Sequence, residues 1–427
     1  MPPRSRTINA TSRAAKVQQL VSSRGVSAWL VEDYAVPVVA FDIAFKGGAT
    51  QDAPGKSGTA TMFSALLDEG AGSLDSEAFH CAMDDKAIEL SFSSDRDVLT
   101  GHLRTLAQNT DAAFGLLALA LNEARLDDSA IERVRGQLTA GLKRETNDPD
   151  SVAAKLFRAK GFAGHAYGLP SRGDLDSVAR IGRGDFVQAQ QNLLARDNVK
   201  IAAVGAIGAA NLARHLDEVF AKLPAKAKLR DEPATSLGGL GTRHLADLDL
   251  PQSTLRFGRP GMERKDPDFI AAMVANHILG GGAFTARLFR EVREKRGLTY
   301  SVYSQMANYD HAHMLTGGTS TKNARALEAL EVIQTEIRQI GAEGPTADEL
   351  GKAQKYLTGS YALRFDTSTK IAGQLVQLQV DGFDVDYLDQ RNALIDAVTL
   401  EDAQRASSRL FGDGELLVAV AGRPEGM

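Results

Sequence analysis

The stretch FTARLFREVREKRGLTYSVYSQ, residues 284–305, holds the side chains with the clearest chemical potential. Leu288, Val292 and Lys295 mark successive helical turns, Gly297 is expected to end the helix, and LTYSVYS alternates as a strand. Arg293 then sits near the helix end and Tyr300 at the strand start, so a guanidinium and a phenol could meet over one substrate carbonyl. Preorganised donors of this kind stabilise a developing oxyanion, and a phenol is a neutral donor at pH 7. On residue types alone the plainer reading, a solvated arginine and a half-buried strand tyrosine, weighs more. Just upstream, Gly280, Gly281 and Gly282 precede Ala283 and Phe284. Consecutive glycines let backbone approach a ligand closely, and they equally make a helix C-cap and turn.

Other chemistries find little support. The eight histidines include no His-x-x-x-His pair that would place two imidazoles on one helix face. His311-x-His313, beside Asp310, would put both rings on one face of a strand. That is either a metal pair or a polar strand face, and the polar face is favoured. His277 lies in an apolar helix and reads as a hydrogen-bonded core residue. There is no Gly-x-Ser-x-Gly elbow and no Walker loop. Cys81 is the only cysteine, which excludes an internal disulfide and a thiolate metal cage. GTATMFSALLDEG, residues 58–70, reads as a short helix after a strand. Met62, Phe63, Leu66 and Leu67 form its apolar side, and Thr61, Ser64, Ala65 and Asp68 its other, chemically mild side.

The elements positioning these residues come as two copies of one plan. Setting Phe79 on Phe289 also sets Ser91 on Ser301 and Ser94 on Ser304. Further on, QLTAG (137–141) resembles YLTGS (356–360), and IGRGDF (181–186) sits on VTLEDA (398–403). The slowly growing offset is what loop insertions produce. Between the copies, AKLPAKAKLRDEPATSLGGLG has the Pro, Gly and alternating charge of a linker. The expected domains are residues 1–222 and 242–427, joined by 223–241. Residues 103–126 and 129–146 read as helices, the second opening with a Ser-x-x-Glu capping box. KIAAVGAIG (200–208) and ELLVAVAGR (415–423) read as buried strands. The fold class is therefore α+β, two similar domains from an internal duplication, each a mainly antiparallel sheet covered by helices. A net charge of −5 argues against general nucleic-acid binding. No apolar run has the length of a membrane span. The N-terminus MPPRSRTINATSR lacks the apolar core of a signal peptide.

VREKRGLTYSVYS (292–304) resembles the second-repeat signature of the pitrilysin/insulysin-like zinc peptidases, the group that includes mitochondrial processing peptidase, and the two-repeat plan resembles that family over nearly the whole chain. The resemblance implies a clam-shell chamber enclosed by four such domains, which in small members come from two chains, often only one of them zinc-bearing. In zinc-bearing chains the first repeat carries His-x-x-Glu-His, two ligands and a general base, with a further Glu ligand on a later helix. Here the matching positions are Thr61, Ser64 and Ala65, and the distal Glu position falls at Gly141. Hydroxyls and a methyl cannot hold zinc against water. The family's other element, an Arg and a Tyr seven residues apart that hold substrate and tetrahedral intermediate, is matched by Arg293 and Tyr300. Their first-repeat counterparts, Met83 and Leu90, cannot do that work, and Leu90 also stands where the family's substrate-binding strand begins with Asn.

The resemblance thus implies a subunit without cofactor of its own, paired with a homologous chain that carries His-x-x-Glu-His and zinc. Arg293 and Tyr300 would act on peptide substrates, with 280–284 lining the chamber; the isolated chain would be inactive. The rival expectations are a catalytically silent structural subunit with the same fold, and a self-contained metal enzyme using His311 and His313. Localisation is periplasmic if Met1 replaces a removed signal, and otherwise cytoplasmic.

Overall fold

The computed structural model describes residues 17–427; the N-terminal residues on which the signal-peptide reading rests lie outside that range. Among the described residues, eleven strands form two sheets. The first contains β1 (Gln18–Val21), β2 (Ser27–Glu32), β3 (Val38–Lys46), β4 (Glu89–Ser94), β5 (Val98–Leu106) and β6 (Val199–Gly205), in the order β1-β2-β6-β3-β5-β4. The second contains β7 (Arg243–Asp247), β8 (Gln252–Pro260), β9 (Thr299–Asn308), β10 (His313–Lys322) and β11 (Leu417–Gly422), in the order β7-β11-β8-β10-β9. Each sheet has one parallel pair, β2 with β6 and β7 with β11; every other pair is antiparallel. Without β1, the two orders superimpose strand for strand. The fold is the duplicated, mainly antiparallel α+β architecture read from the sequence, and β4 and β9 are equivalent edge strands.

Two local expectations need correcting. Residues 103–126 do not form one helix: Val98–Leu106 is strand β5, and the helix runs Thr110–Asn122. LTGHLRTL alternates, burying Leu99 and Leu103, and its pairing with both β3 and β4 overrides the helical propensity of Leu and Arg. The capping box at Ser129 and Glu132 does not form either. The helix Asp128–Glu145 starts one residue earlier, behind Asp127, and Glu132 pairs with Arg135.

The strands sort on either side of residues 223–241, but the layers covering them do not. One face of the first sheet packs on helices of its own half, through Phe41, Ile43, Phe45, Ile201 and Ala203. Its other face, Ala40, Ala44, Ala202 and Val204, is covered by Ile371, Ala372, Leu375 and Val376 of the helix Ser368–Val380 from the other half. The equivalent helix of the first half, Pro149–Gly161, crosses in the opposite sense and packs on β8 and β11. Phe157 and Phe162 there meet Leu417, Ala419 and Met314. This reciprocal exchange explains why LVAVAG throughout, and VKIAAVG apart from the half-buried Lys200, are apolar: both faces of these strands are buried. The backbone makes room for the crossing. A Cβ on Gly258 would stand 2.7 Å from Phe157 Cζ, so β8 carries glycine there.

A buried polar tie joins the halves. The Tyr167 hydroxyl donates to the Asp97 carboxylate at 2.9 Å and accepts from the His311 backbone N–H at 3.0 Å. Asp310 N–H also donates to Asp97, and the Lys46 ammonium lies 3.1 Å from the Asp310 carboxylate. The 223–241 segment is likewise held down: Leu237 is buried, Thr235 N–H donates to His311 O, and Gly238 N–H donates to Gly161 O.

Leu375 is fully buried on the exchanged helix. Leu375→Ala should cost about 2–5 kcal/mol. Hydrogen exchange should speed up in β3 and β6, far away in sequence, more than in β8 and β11. Equal change in both sheets would refute the exchange as a local prop.

Candidate functional site

Arg293 and Tyr300 are brought together. The Arg293 guanidinium carbon lies 4.6 Å from the Phe289 ring centroid and 4.8 Å from that of Tyr300, so the cation is held between two aromatic faces. Phe284 stands edge-on to Phe289 with centroids 5.1 Å apart. Tyr300 is 82% exposed and Phe284 72%. Stacking orients the guanidinium while leaving its N–H edge unspent. Neither that edge nor the Tyr300 hydroxyl bonds to another group among the described residues. The pair is thus presented outward as two oriented donors.

Two irregular turns set this geometry. Phe289–Glu294 and His277–Gly281 are π-helical, a rare conformation that shifts side chains off the ordinary helical register. The first ends as expected at Gly297, whose φ is +60° and whose N–H donates to Arg293 O. Glu291 secures it: its carboxylate takes Lys295 Nζ at 2.7 Å, Arg296 at 3.1 Å and Arg290 at 3.2 Å. Burial works to raise its pKa, and these three cations outweigh burial, holding it at about 2. Arg290, Lys295 and Arg296 are therefore committed, which leaves Arg293 as the free cation of this segment.

The glycines serve packing. A Cβ on Gly280 would stand 2.4 Å from Ser304 Oγ and 2.6 Å from Ser304 N, so the turn presses directly on edge strand β9. A Cβ on Gly282 would stand 2.8 Å from His277 O. Gly280, Gly281 and Ala283 also wall a cavity of about 610 Å³ beside β9. Gly282, Phe284, Arg293 and Tyr300 are not on that wall. The predicted substrate-binding set is thus divided: three residues on the cavity, and Phe284 with the Arg293–Tyr300 pair. His277 is a lining residue rather than a hydrogen-bonded core residue. It stacks on Tyr356 at 5.1 Å, and burial lowers its pKa.

The positions that the resemblance aligns with a metal site do not fit zinc. Thr61 Oγ1 donates to Ser171 O at 3.0 Å, and Ser64 Oγ donates to Thr61 O at 2.9 Å. Ala65 has no donor atom. A Cβ on Gly141 would stand 3.0 Å from Arg172 Nη2, so a guanidinium occupies the space beside that residue. A cation there opposes metal binding. Beneath, the Asp52 carboxylate takes Gly58 N–H at 2.7 Å and Ala60 N–H at 2.8 Å, and burial pushes its pKa up to about 7. Among the described residues no group of three or more His, Cys, Asp or Glu could hold a metal. The His311–His313 pair is also corrected. His311 lies in the hairpin turn before β10, tied through its backbone to Tyr167. His313 Nδ1 lies 2.9 Å from Asn308 Oδ1. Met83 and Leu90, the counterparts of Arg293 and Tyr300, are both buried.

Phe289 and Arg172 were missed in the sequence reading. Phe289 lies four residues before Arg293, a spacing that could have flagged it. Arg172 sits in a loop 31 positions past Gly141, and no spacing rule connects the two.

Residues 180–357 match the family described as "Peptidase M16 inactive domain". The chain is 26% identical over 356 residues to the "Non-peptidase homolog YmxG" of Helicobacter pylori, covering 83% of this chain and 82% of that protein. It resembles the crystal structure of a peptidase M16 inactive domain from Pseudomonas fluorescens, with a TM-score of 0.87 at 26% identity, covering 96% and 98% of the two chains. A chain of Complex III2 from Candida albicans shares the fold, with a TM-score of 0.79 at 17% identity and 96% coverage of each. The likeness to pitrilysin-like peptidases read from the sequence therefore holds.

Glu291 gives the site an acid limit. Its pKa is depressed from 4.5 to about 2 on folding, so its contribution is complete above 4.5 and is lost as pH falls through 2. Glu291→Gln should lower stability at pH 7 and flatten the acid limb of unfolding, followed by circular dichroism. An unchanged acid limb would contradict this. Gly280→Ala should cost about 1–3 kcal/mol by forcing β9 outward; a thermal midpoint equal to that of the parent would show that the turn yields freely.

Proposed function

We propose, for a chain carrying an M16 inactive domain, that it serves as the metal-free subunit of a two-chain zinc peptidase. A homologous partner with His-x-x-Glu-His is assigned the zinc and the general base. This chain is assigned the donors: Arg293 and Tyr300 hydrogen-bond the substrate backbone and the carbonyl oxygen on which negative charge develops. The observation that carries the reading is the Arg293 guanidinium, clamped between Phe289 and Tyr300 with its N–H edge unspent. A stacked cation costs little reorganisation when the oxyanion forms. Substrates are peptides or unfolded segments, and residues 280–284 contribute to the chamber wall.

The likeness to a Complex III2 chain favours a second reading, a silent structural subunit with the same fold. Unspent donors at Arg293 and Tyr300 weigh against it, since a purely structural role has no use for them.

Purified alone, the chain should bind no stoichiometric zinc and cleave no peptide. With its zinc-bearing partner it should restore cleavage. Arg293→Ala and Tyr300→Phe should each lower kcat about 10²–10³-fold with zinc content unchanged. Full activity of the double variant would end the proposed role, and lack of peptidase activity in any complex containing the chain would favour the structural reading.

A further inference from the structure

A second cavity, of about 430 Å³, lies between the helix Pro149–Gly161 and the loop 168–174. Four cations line it, Arg96, Lys155, Arg158 and Arg172, against two carboxylates, Glu145 and Asp174. Both carboxylates are engaged. Glu145 takes Arg172, and Asp174 Oδ1 accepts Ser177 N–H at 2.8 Å as a helix cap. Lys155, Arg158 and Arg96 have no acidic partner among the described residues.

This arrangement is costly without a ligand. Lys155 and Arg158 are three apart on one helix face, and both are half-buried. Arg96 is only 5% exposed. Its Nη1 donates to Tyr167 O at 3.1 Å and Leu169 O at 3.2 Å, its guanidinium lies 6.0 Å from the Tyr309 ring centroid, and the Asp95 carboxylate offsets its charge only from a distance, without an ion pair. Burial, and next the neighbouring Arg158, pull its pKa below the usual arginine value. A buried guanidinium is normally paired, because desolvation penalises an isolated charge. Three unpaired cations around one cavity lack an anion.

The rest of the wall narrows the choice of anion. Ala154, Leu169 and Pro170 give an apolar side that inorganic phosphate would not use. A carboxylate carried by a chain would fill both parts, with its oxygens on the cations and the adjoining residue on the apolar side. The cavity adjoins Ser171 and Arg172, which lie against Thr61 and Gly141. We infer that this cavity binds the C-terminal carboxylate of a peptide, a charge-selective site beside positions that cannot hold metal. The inference concerns the isolated chain and does not depend on the partner or on Arg293 and Tyr300.

The test is fluorescence anisotropy on the full chain with a labelled pentapeptide ending in leucine, as free acid and as C-terminal amide. A third peptide carries an internal glutamate and an amidated end, and inorganic phosphate serves as competitor. The free acid should bind at least tenfold more tightly than either amidated peptide and should weaken with salt. Lys155→Gln with Arg158→Gln should lose at least tenfold in affinity. The charge-conserving pair Lys155→Arg with Arg158→Lys should retain binding, which separates loss of charge from loss of fold. Equal binding of acid and amide, equal binding of the internal glutamate, or unchanged affinity in the Gln pair would overturn the assignment. So would tight phosphate binding with the peptide acid left unbound, which would give the cavity to a free oxyanion.

Discussion

The reciprocal helix exchange is the constraint on which the rest depends. Each sheet has a second apolar face that its own half leaves bare, and an equivalent helix from the other half covers it. Neither half is complete alone, because a bare sheet face and a bare apolar helix are both unfavourable in water. The crossing fixes the separation of the two sheets, and with it the relation between the metal-like positions of the first half and the Arg293–Tyr300 pair of the second. The Tyr167–Asp97–His311 tie then adds direction to what burial alone leaves nonspecific.

Within that frame the two halves have diverged at equivalent places. Edge strand β9 begins with a half-buried Thr299 and an exposed Tyr300, after a π-helical turn that aims a cation outward. Edge strand β4 carries Leu90 at the matching place, buried with Met83. The first half in turn carries clustered positive charge. Arg172 lies against Gly141, and Arg96, Lys155 and Arg158 gather next to it. One half thus offers oriented donors and the other a cationic cavity, on the same architecture.

Legibility followed the range of the interaction. The duplication, the sheet class and the Arg293–Tyr300 spacing rest on local patterns of period and order, and all could be read. Helix 103–126 was misread because pairing with β3 and β4 outweighed local propensity in its first turn. The capping box failed because the helix starts at Asp128, behind Asp127, which puts Ser129 inside the first turn rather than at the N-cap. The glycines at 280–282 were noticed, but their role depends on Ser304, a partner on another element.

By itself the sequence determined that this chain has two related α+β halves, that its first half lacks zinc ligands at Thr61, Ser64, Ala65 and Gly141, and that a guanidinium and a phenol remain in the second. These follow from residue identity and spacing and, for the zinc-ligand positions, from the resemblance to zinc peptidases, none of which folding alters. Only the tertiary structure decided that Phe289 and Tyr300 clamp Arg293, that the helices change places, and that Arg96, Lys155, Arg158 and Arg172 share one cavity. Each of these joins residues from separate elements. Their proximity comes from burying apolar faces elsewhere in the molecule, and no periodicity within a segment records it.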